Sequence, residues 1–191
     1  DLTLHETDFG TRLRQTPVPE LQQLRGESIT LEAPRLLDGT TTVDLSQLKA
    51  KGAFELDLTI DLVDSDAEEL YVTLGNASGD QFYRFGYSRK TGVQNAFFSD
   101  RRSAGPSDFS DKFAPEGLTV APRWSNEGQL RIHAYFDRTS AEVFCDQGDP
   151  VLTDIFFPEE PFTMLTFETY GSAGEGMKEG WSLVKGAVYG L

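Results

Sequence analysis

Residues Leu130 to Phe144 read LRIHAYFDRTSAEVF, and this stretch predicts a β-hairpin. Leu130, Ile132, Ala134 and Phe136 alternate with Arg131, His133, Tyr135 and Asp137, which is the period of a half-buried strand. After the polar break at 137–140, a second alternation places Ala141, Val143 and Cys145 on one face and Glu142, Phe144 and Asp146 on the other. Because the break is so short, the two strands must be antiparallel.

Further strands are predicted on both sides of this hairpin. The clearest runs from Ala53 to Leu62, where five apolar residues alternate with Glu55, Asp57, Thr59 and Asp61, and we expect these polar residues to face solvent. The other expected strands are Ser28 to Ala33, Glu69 to Gly75, Gln81 to Tyr87, Gly92 to Ser99, Leu118 to Arg123, Val151 to Phe157, Phe162 to Tyr170 and Trp181 to Tyr189. Without a long amphipathic helix, so many short strands predict an all-β sandwich.

The composition excludes two classes of partner. Acidic residues outnumber basic ones by 31 to 17, which argues against nucleic acid, because phosphates need a basic face. No run approaches the roughly 18 apolar residues of a membrane span, so no membrane partner is expected. The acidic surface is interpreted as a source of solubility.

The residues that usually hold cofactors are sparse. Cys145 is the single cysteine, so it cannot form an internal disulfide, and its place in the strand predicts a buried structural thiol. His5 and His133 lie far apart and lack metal-ligand spacing. There is no glycine-rich phosphate loop before a helix, and we predict neither a cofactor nor a metal.

Residues 1–26 are interpreted as a linker, and residues 27–191 as the sandwich domain. The linker has one strand-like run, Asp1 to Glu6, two prolines that stiffen it, and a possible helical turn at Glu20 to Arg25. It has few periodic apolar positions, so we expect it to be weakly held and proteolysed first. The chain starts at Asp1 without a signal peptide, so we expect it to be a piece of something longer.

Three motifs resemble family 32 of the glycoside hydrolases, which comprises invertases, levanases and inulinases. They are FDRTSAEVF with the CDQGDPVLTDIFFP that follows it (136–158), FFSDRRSAG with FSDKFA (97–114), and LRQTPVPELQQLR (13–25). The resemblance implies the C-terminal module of such an enzyme, a jelly-roll-like sandwich of the concanavalin or galectin type. It also implies that a catalytic propeller precedes this chain and that the parent enzyme is secreted or periplasmic.

The resemblance directs attention to a candidate sugar site at the hairpin turn, formed by Asp137, Arg138 and Glu142. Carboxylates and a guanidinium suit the vicinal hydroxyls of a furanose, and related sandwich modules in fructan-degrading enzymes bind fructose. The alternative is a solvated turn in which these groups serve the backbone. Asp100 and Arg101 of the second motif join the same site if their strands are neighbours, and otherwise hold a loop in place.

Two other groups of residues have a functional and a structural interpretation. Glu55 and Asp57 are spaced like the carboxylates of a sandwich glycosidase, but no third acid stands at a suitable offset, since Ile60 is an apolar core position. Lectin-like sites stack sugars on aromatic rings, for which Tyr83, Tyr87, Trp124 and Trp181 are candidates, although each also suits core packing.

The leading hypothesis is therefore a non-catalytic module that supports the propeller. The two aspartates and the glutamate that the family uses for catalysis lie in the propeller, and their motifs are absent from this sequence. The first alternative is a carbohydrate-binding module for fructan or fructose, and the second is an independent sandwich hydrolase. We expect no hydrolysis of sucrose, inulin or levan by the chain alone.

Overall fold

The computed structural model describes residues 1–31, 40–50, 52–63, 65–90, 95–113, 117–171 and 180–191, and the backbone of 35–36. Strands dominate this part of the chain. They are β1 (Leu2–Thr7), β2 (Gly10–Gln15), β3 (Ser28–Thr30), β4 (Arg35–Leu36), β5 (Thr40–Asp44), β6 (Phe54–Asp61), β7 (Ala67–Gly75), β8 (Phe82–Ser88), β9 (Ala96–Asp100), β10 (Leu118–Pro122), β11 (Gln129–Asp137), β12 (Ser140–Cys145), β13 (Val151–Ile155), β14 (Met164–Gly171) and β15 (Trp181–Gly190).

Two antiparallel sheets form the sandwich. The six-stranded sheet has the order β10-β9-β8-β7-β14-β5, and the seven-stranded sheet has the order β13-β12-β11-β6-β15-β3, with β4 also pairing with β15. The predicted hairpin is confirmed as β11 and β12, where Asp137 pairs with Ser140 across a two-residue turn. The predicted all-β, two-sheet antiparallel sandwich is confirmed.

The core lies between the two sheets and follows the alternation in the sequence. From β6, Leu56, Leu58 and Ile60 point inward and are fully buried, and Leu70 and Val72 of β7 are buried from the other sheet. Cys145 is also buried in this layer, as predicted. Because every second residue of these strands is apolar, the two inner faces bury a continuous apolar layer, which is the main source of stability.

Residues 1–25, which we call the arm, contain more structure than the sequence indicated. The strand-like run is β1, but it pairs with an unpredicted strand, β2, in a two-stranded sheet. The arm packs on the outer face of the seven-stranded sheet: the Gln15 N–H donates to the Gly148 carbonyl (2.9 Å), and Arg14 Nε donates to Asp149 Oδ1 (3.0 Å). Arg12 lies 4.4 Å from the Trp124 ring centroid.

Several boundaries differ from those expected. The possible helical turn at Glu20 to Arg25 is a 3-10 helix at Pro19–Leu24. A second 3-10 helix lies at Ser46–Leu48, and strands β4 and β5 were not among the expected elements. Residues 32–33 and 92–94 of two expected strands lie outside the described residues. No helix in the described ranges has the length and apolar character needed to cross a membrane.

Candidate functional site

The outer face of the seven-stranded sheet carries a fully buried carboxylate, Glu55. Arg25 of the arm donates to both of its oxygens, from Nε to Oε2 (2.7 Å) and from the terminal nitrogen NH2 to Oε1 (2.6 Å). His133 Nε2 lies 2.6 Å from Oε1, and the Tyr135 hydroxyl donates to the same atom at 3.2 Å. The Arg25 guanidinium also stacks over Tyr189, 4.2 Å from its ring centroid. Glu55 therefore joins the arm to β6 and β11, and Arg25 adds a contact with β15.

A second carboxylate, Asp57, lies one step along the same face and is 4% exposed. Lys185 Nζ donates to its Oδ2 at 2.9 Å, and the terminal nitrogen NH2 of Arg131 donates to its Oδ1 at 3.4 Å. Both donors come from strands of the same sheet, β15 and β11. Asp57 therefore orients side chains of the sheet.

The pKa values follow from these contacts. Burial alone would raise the pKa of Glu55, but the hydrogen bonds from Arg25 and His133 outweigh it and lower the pKa to about 2. Burial and the neighbouring Glu55 carboxylate raise the pKa of Tyr135 to about 12. For Asp57, Lys185 and Arg131 overcome the effect of burial and lower the pKa below its usual range. Both carboxylates are ionised at neutral pH, so neither suits the role of a general acid.

The expectation that Glu55 and Asp57 face water is wrong. They do point away from the core, but the arm and the long side chains of Arg131 and Lys185 cover them. These contacts argue against the hypothesis of an independent hydrolase, because each carboxylate is already paired with cationic donors.

A groove of about 630 Å³ runs between the arm and the hairpin. Asp137 and Glu142 line its hairpin wall beside the rings of Tyr135 and Phe144. The arm wall is formed by Pro17, Val18, Leu21 and Leu24. Two of the candidate sugar-binding carboxylates thus lie together in a concave, largely apolar setting.

The other three candidates lie elsewhere. Arg138 is exposed and does not line the groove, but it lines a neighbouring depression together with Asp137, Pro158 and Pro161. Asp100 accepts two hydrogen bonds from the side chain of Arg102, which lower its pKa against the effect of burial. Arg101 donates to the Phe113 carbonyl (2.7 Å), and its guanidinium lies 4.0 Å from the Phe113 ring centroid.

The two Asp-Arg pairs do not form one site. Within the described ranges, no hydrogen bond or ion pair joins Asp100 or Arg101 to Asp137 or Arg138. Asp100 ends strand β9 of the six-stranded sheet and Arg101 follows it, whereas the hairpin belongs to the other sheet. The interpretation that Asp100 and Arg101 hold a loop in place agrees with these contacts.

A family model for the C-terminal domain of glycosyl hydrolases family 32 matches residues 20–182. The chain belongs to this family. Two levanases are similar to it: one from Bacillus sp. (strain L7) is 31% identical over 170 residues, and one from Bacillus subtilis (strain 168) is 29% identical over 174 residues. The exo-inulinase from Aspergillus awamori shares the fold, with a TM-score of 0.76 at 21% identity.

The family 32 C-terminal domain is a part of these longer relatives. The alignments cover 89% and 91% of this chain but only 18% and 24% of the two levanases. The exo-inulinase match covers 100% of this chain and 34% of that enzyme. The resemblance stated from the three motifs is thereby confirmed.

Of the aromatic residues considered for sugar stacking, three are core residues of this family 32 domain. Tyr83, Tyr87 and Trp181 are fully or almost fully buried. Trp124 lies under the arm, with Phe9 packed edge-on against it at 5.9 Å between ring centroids. Their aromatic character therefore serves packing, and the rings that line the groove are Tyr135 and Phe144.

The cluster around Glu55 was missed by sequence reasoning, although a signal for it exists. The alternation puts Glu55 on the non-core face of β6, and the same alternation puts His133 and Tyr135 on the non-core face of β11. Pairing these two strands would have brought the three residues together. Among the described residues, no group of three His, Cys, Asp or Glu side chains is placed to hold a metal ion.

Proposed function

We propose that this chain is the non-catalytic C-terminal module of a fructan- or sucrose-hydrolysing enzyme and that it supports a catalytic domain. The lengths of the relatives favour this role, since the chain spans about a fifth of each levanase. The catalytic domain is expected to be a propeller that precedes Asp1. The proposal includes a secreted or periplasmic location, because polymeric fructans are too large to cross a membrane.

The observation that carries the proposal is the outward face of the arm. Leu4 and Leu13 are direct neighbours across β1 and β2, and Leu2 lies on the same face. These three leucines are 75%, 49% and 66% exposed, respectively. On the opposite face, His5, Arg12 and Arg14 contact the sandwich. A small sheet that is polar toward its own domain and apolar toward solvent is typical of an interaction site.

The exposed apolar residues are concentrated in the arm. Six of the fourteen exposed large hydrophobic side chains of the described ranges occur within the first 24 residues. These six are Leu2, Leu4, Phe9, Leu13, Val18 and Leu24. A catalytic domain joined at Asp1 would be tethered beside this face, so the leucines would be buried at little entropic cost.

Charges placed on this face are expected to weaken docking. In a titration of the separately produced catalytic domain, the double variant Leu4→Asp/Leu13→Asp should bind about 100-fold more weakly than the wild type, because two leucines lose roughly 3 kcal/mol of burial. Leu118→Asp is the matched control, since Leu118 is 47% exposed but lies on β10 of the opposite sheet. Equal affinity of the double variant and the wild type would overturn the proposal.

A second candidate function is fructan binding in the groove, which is favoured by the position of Asp137 and Glu142 beside Tyr135 and Phe144. An open site with a few charge-assisted hydrogen bonds should bind levan or inulin with a Kd on the order of 0.1 to 1 mM. Asp137→Ala or Glu142→Ala should weaken this binding tenfold or more and leave the melting temperature nearly unchanged, because both residues are exposed. No heat of binding at millimolar fructosyl units would contradict this function.

A further inference from the structure

A second cavity, of about 250 Å³, lies between residues 16–22 of the arm and the outer face of the seven-stranded sheet. Its floor is formed by Arg131, His133 and Tyr135, which alternate along β11, together with Phe144 and Gln147. None of the described residues that line it carries a carboxylate, in contrast to the groove beside it. A concave site with rings and convergent polar groups is the usual form of a small-molecule site.

The two buried carboxylates orient the side chains that form the floor of this cavity. Glu55 accepts hydrogen bonds from His133 and Tyr135, and Asp57 accepts one from Arg131. Burying two carboxylates is costly, and attachment of the arm accounts only for Glu55, because Asp57 makes no hydrogen bond to the arm in the described ranges. Both carboxylates, however, orient side chains of the cavity floor: Asp57 orients Arg131, and Glu55 orients His133 and Tyr135.

The turn after β12 supplies the remaining polar group of the cavity, the amide of Gln147, and the backbone of this turn is strained. Asp146 and Gln147 both have left-handed backbones, with φ of 43° and 67°, which cost on the order of 1 kcal/mol each. The turn is held there because the buried Asp146 carboxylate accepts hydrogen bonds from Arg123 Nε (2.5 Å) and from the Arg131 N–H (3.2 Å). The turn held in this way places Gln147 at the cavity.

The chemistry of the floor suits a polyhydroxyl compound without charge. Arg131 is 44% exposed and uses one nitrogen on Asp57, and no other acceptor for its side chain is present in the described ranges. Its remaining N–H groups and the amide of Gln147 can bond adjacent hydroxyls, while Tyr135 and Phe144 offer apolar surface to a ring. An anion would have to compete with the Asp57 carboxylate for Arg131, whereas a hydroxyl can accept from the guanidinium N–H groups that Asp57 does not use.

We propose that this cavity binds a single neutral sugar ring. The inference goes beyond the docking role and does not depend on it. The cavity adjoins the groove proposed for fructan and shares Tyr135 and Phe144 with it, whereas Arg131 and Gln147 line the cavity and not the groove. It makes Arg131 and Gln147 the hydrogen-bonding residues and Phe144 and Tyr135 the apolar wall. Glu55 and Asp57 act as positioning residues.

The test is a titration of the isotope-labelled chain with free fructose, followed through its backbone amide resonances, with glucose and sodium sulfate as parallel probes. Saturable shifts are expected at Arg131, His133, Phe144 and Gln147, with a Kd on the order of 1 to 10 mM for a sugar. The variant Arg131→Lys should bind tenfold or more weakly with an unchanged melting temperature, because lysine can still pair with Asp57 but lacks the planar fork.

The exposed Arg138→Lys is the matched control and should bind like the wild type. Three results would overturn the proposal: no shifts at 100 mM of either sugar, shifts confined to Asp137 and Glu142, or equal affinity in Arg131→Lys. Tighter binding of sulfate than of either sugar would also overturn it, because the site would then select an anion.

Discussion

The variant Glu55→Gln is expected to unfold with a free energy about 3 kcal/mol lower than that of the wild type. Glutamine keeps the shape but removes the charge, so the Arg25 guanidinium loses its bidentate partner while it remains three-quarters buried. Breaking one side of a buried ion pair costs roughly 3 to 5 kcal/mol, and the lower end applies because Arg25 is partly reached by water. For a domain of this size, the melting temperature should fall by roughly 6 to 12 °C.

The control for this variant is Glu142→Gln, which removes an exposed carboxylate from the strand next to β11 and should change stability little. The difference between Glu55→Gln and the wild type should also depend on pH. Because the pKa of Glu55 is lowered to about 2, its contribution is fully present above pH 5 and is lost as the pH falls toward 2. Denaturant unfolding at pH 7 and pH 2.5 measures this, and an equal difference at both would contradict the assigned ion pair.

Replacement of Gly148 by alanine is expected to dislodge the arm and to cost about 3 kcal/mol. Gly148 has a φ of +94°, where an L-residue pays roughly 1 to 2 kcal/mol, and a methyl group there would lie 1.7 Å from the Gln15 carbonyl oxygen. The clash has to be relieved by moving the arm backbone, which breaks the Gln15 N–H bond to the Gly148 carbonyl. Limited proteolysis should cut the arm of the variant well before it cuts the arm of the wild type.

Gly79 offers a matched control for this substitution. Its φ is +76°, but a methyl group there would have no neighbour within 4 Å, so Gly79→Ala should show only the backbone cost of roughly 1 kcal/mol. If both variants lose the same stability and keep the arm protected, then the contact between Gln15 and Gly148 does not hold the arm.

The parts of the fold that the sequence predicted are those where burial follows the strand period. In β6 and in the hairpin of β11 and β12, every second residue is apolar and buried, so alternation identified the strands and their inner faces. Short edge elements such as β5 escaped prediction, because its sequence TTTVD presents one partly buried side chain and no alternation of apolar residues.

The arm and the residues beneath it could not be predicted by the same reasoning. Periodicity shows which face is apolar, but it cannot show that a polar face will be covered by another segment of the chain. Glu55 and Asp57 therefore looked like solvent-facing residues, although Arg25, His133 and Lys185 bury and neutralise them. Ion pairs between residues 30 or 128 positions apart leave no local pattern.

The candidate sugar-binding residues illustrate the same limit. The motifs selected Asp137 and Glu142, which do share the groove, and Arg138, which shares only a neighbouring depression with Asp137. They also selected Asp100 and Arg101, which lie in other surroundings. Whether residues on different strands converge depends on sheet order and on the covering arm. Neither is encoded in the spacing of a motif.

The most direct test of the docking role is amide hydrogen exchange of this chain with and without the catalytic domain. We expect added protection in β1 and β2, around Leu2, Leu4 and Leu13, and unchanged exchange on the outer face of the six-stranded sheet. Added protection on the six-stranded sheet with an unchanged arm would contradict the account, because the catalytic domain would then dock on the opposite side of the sandwich.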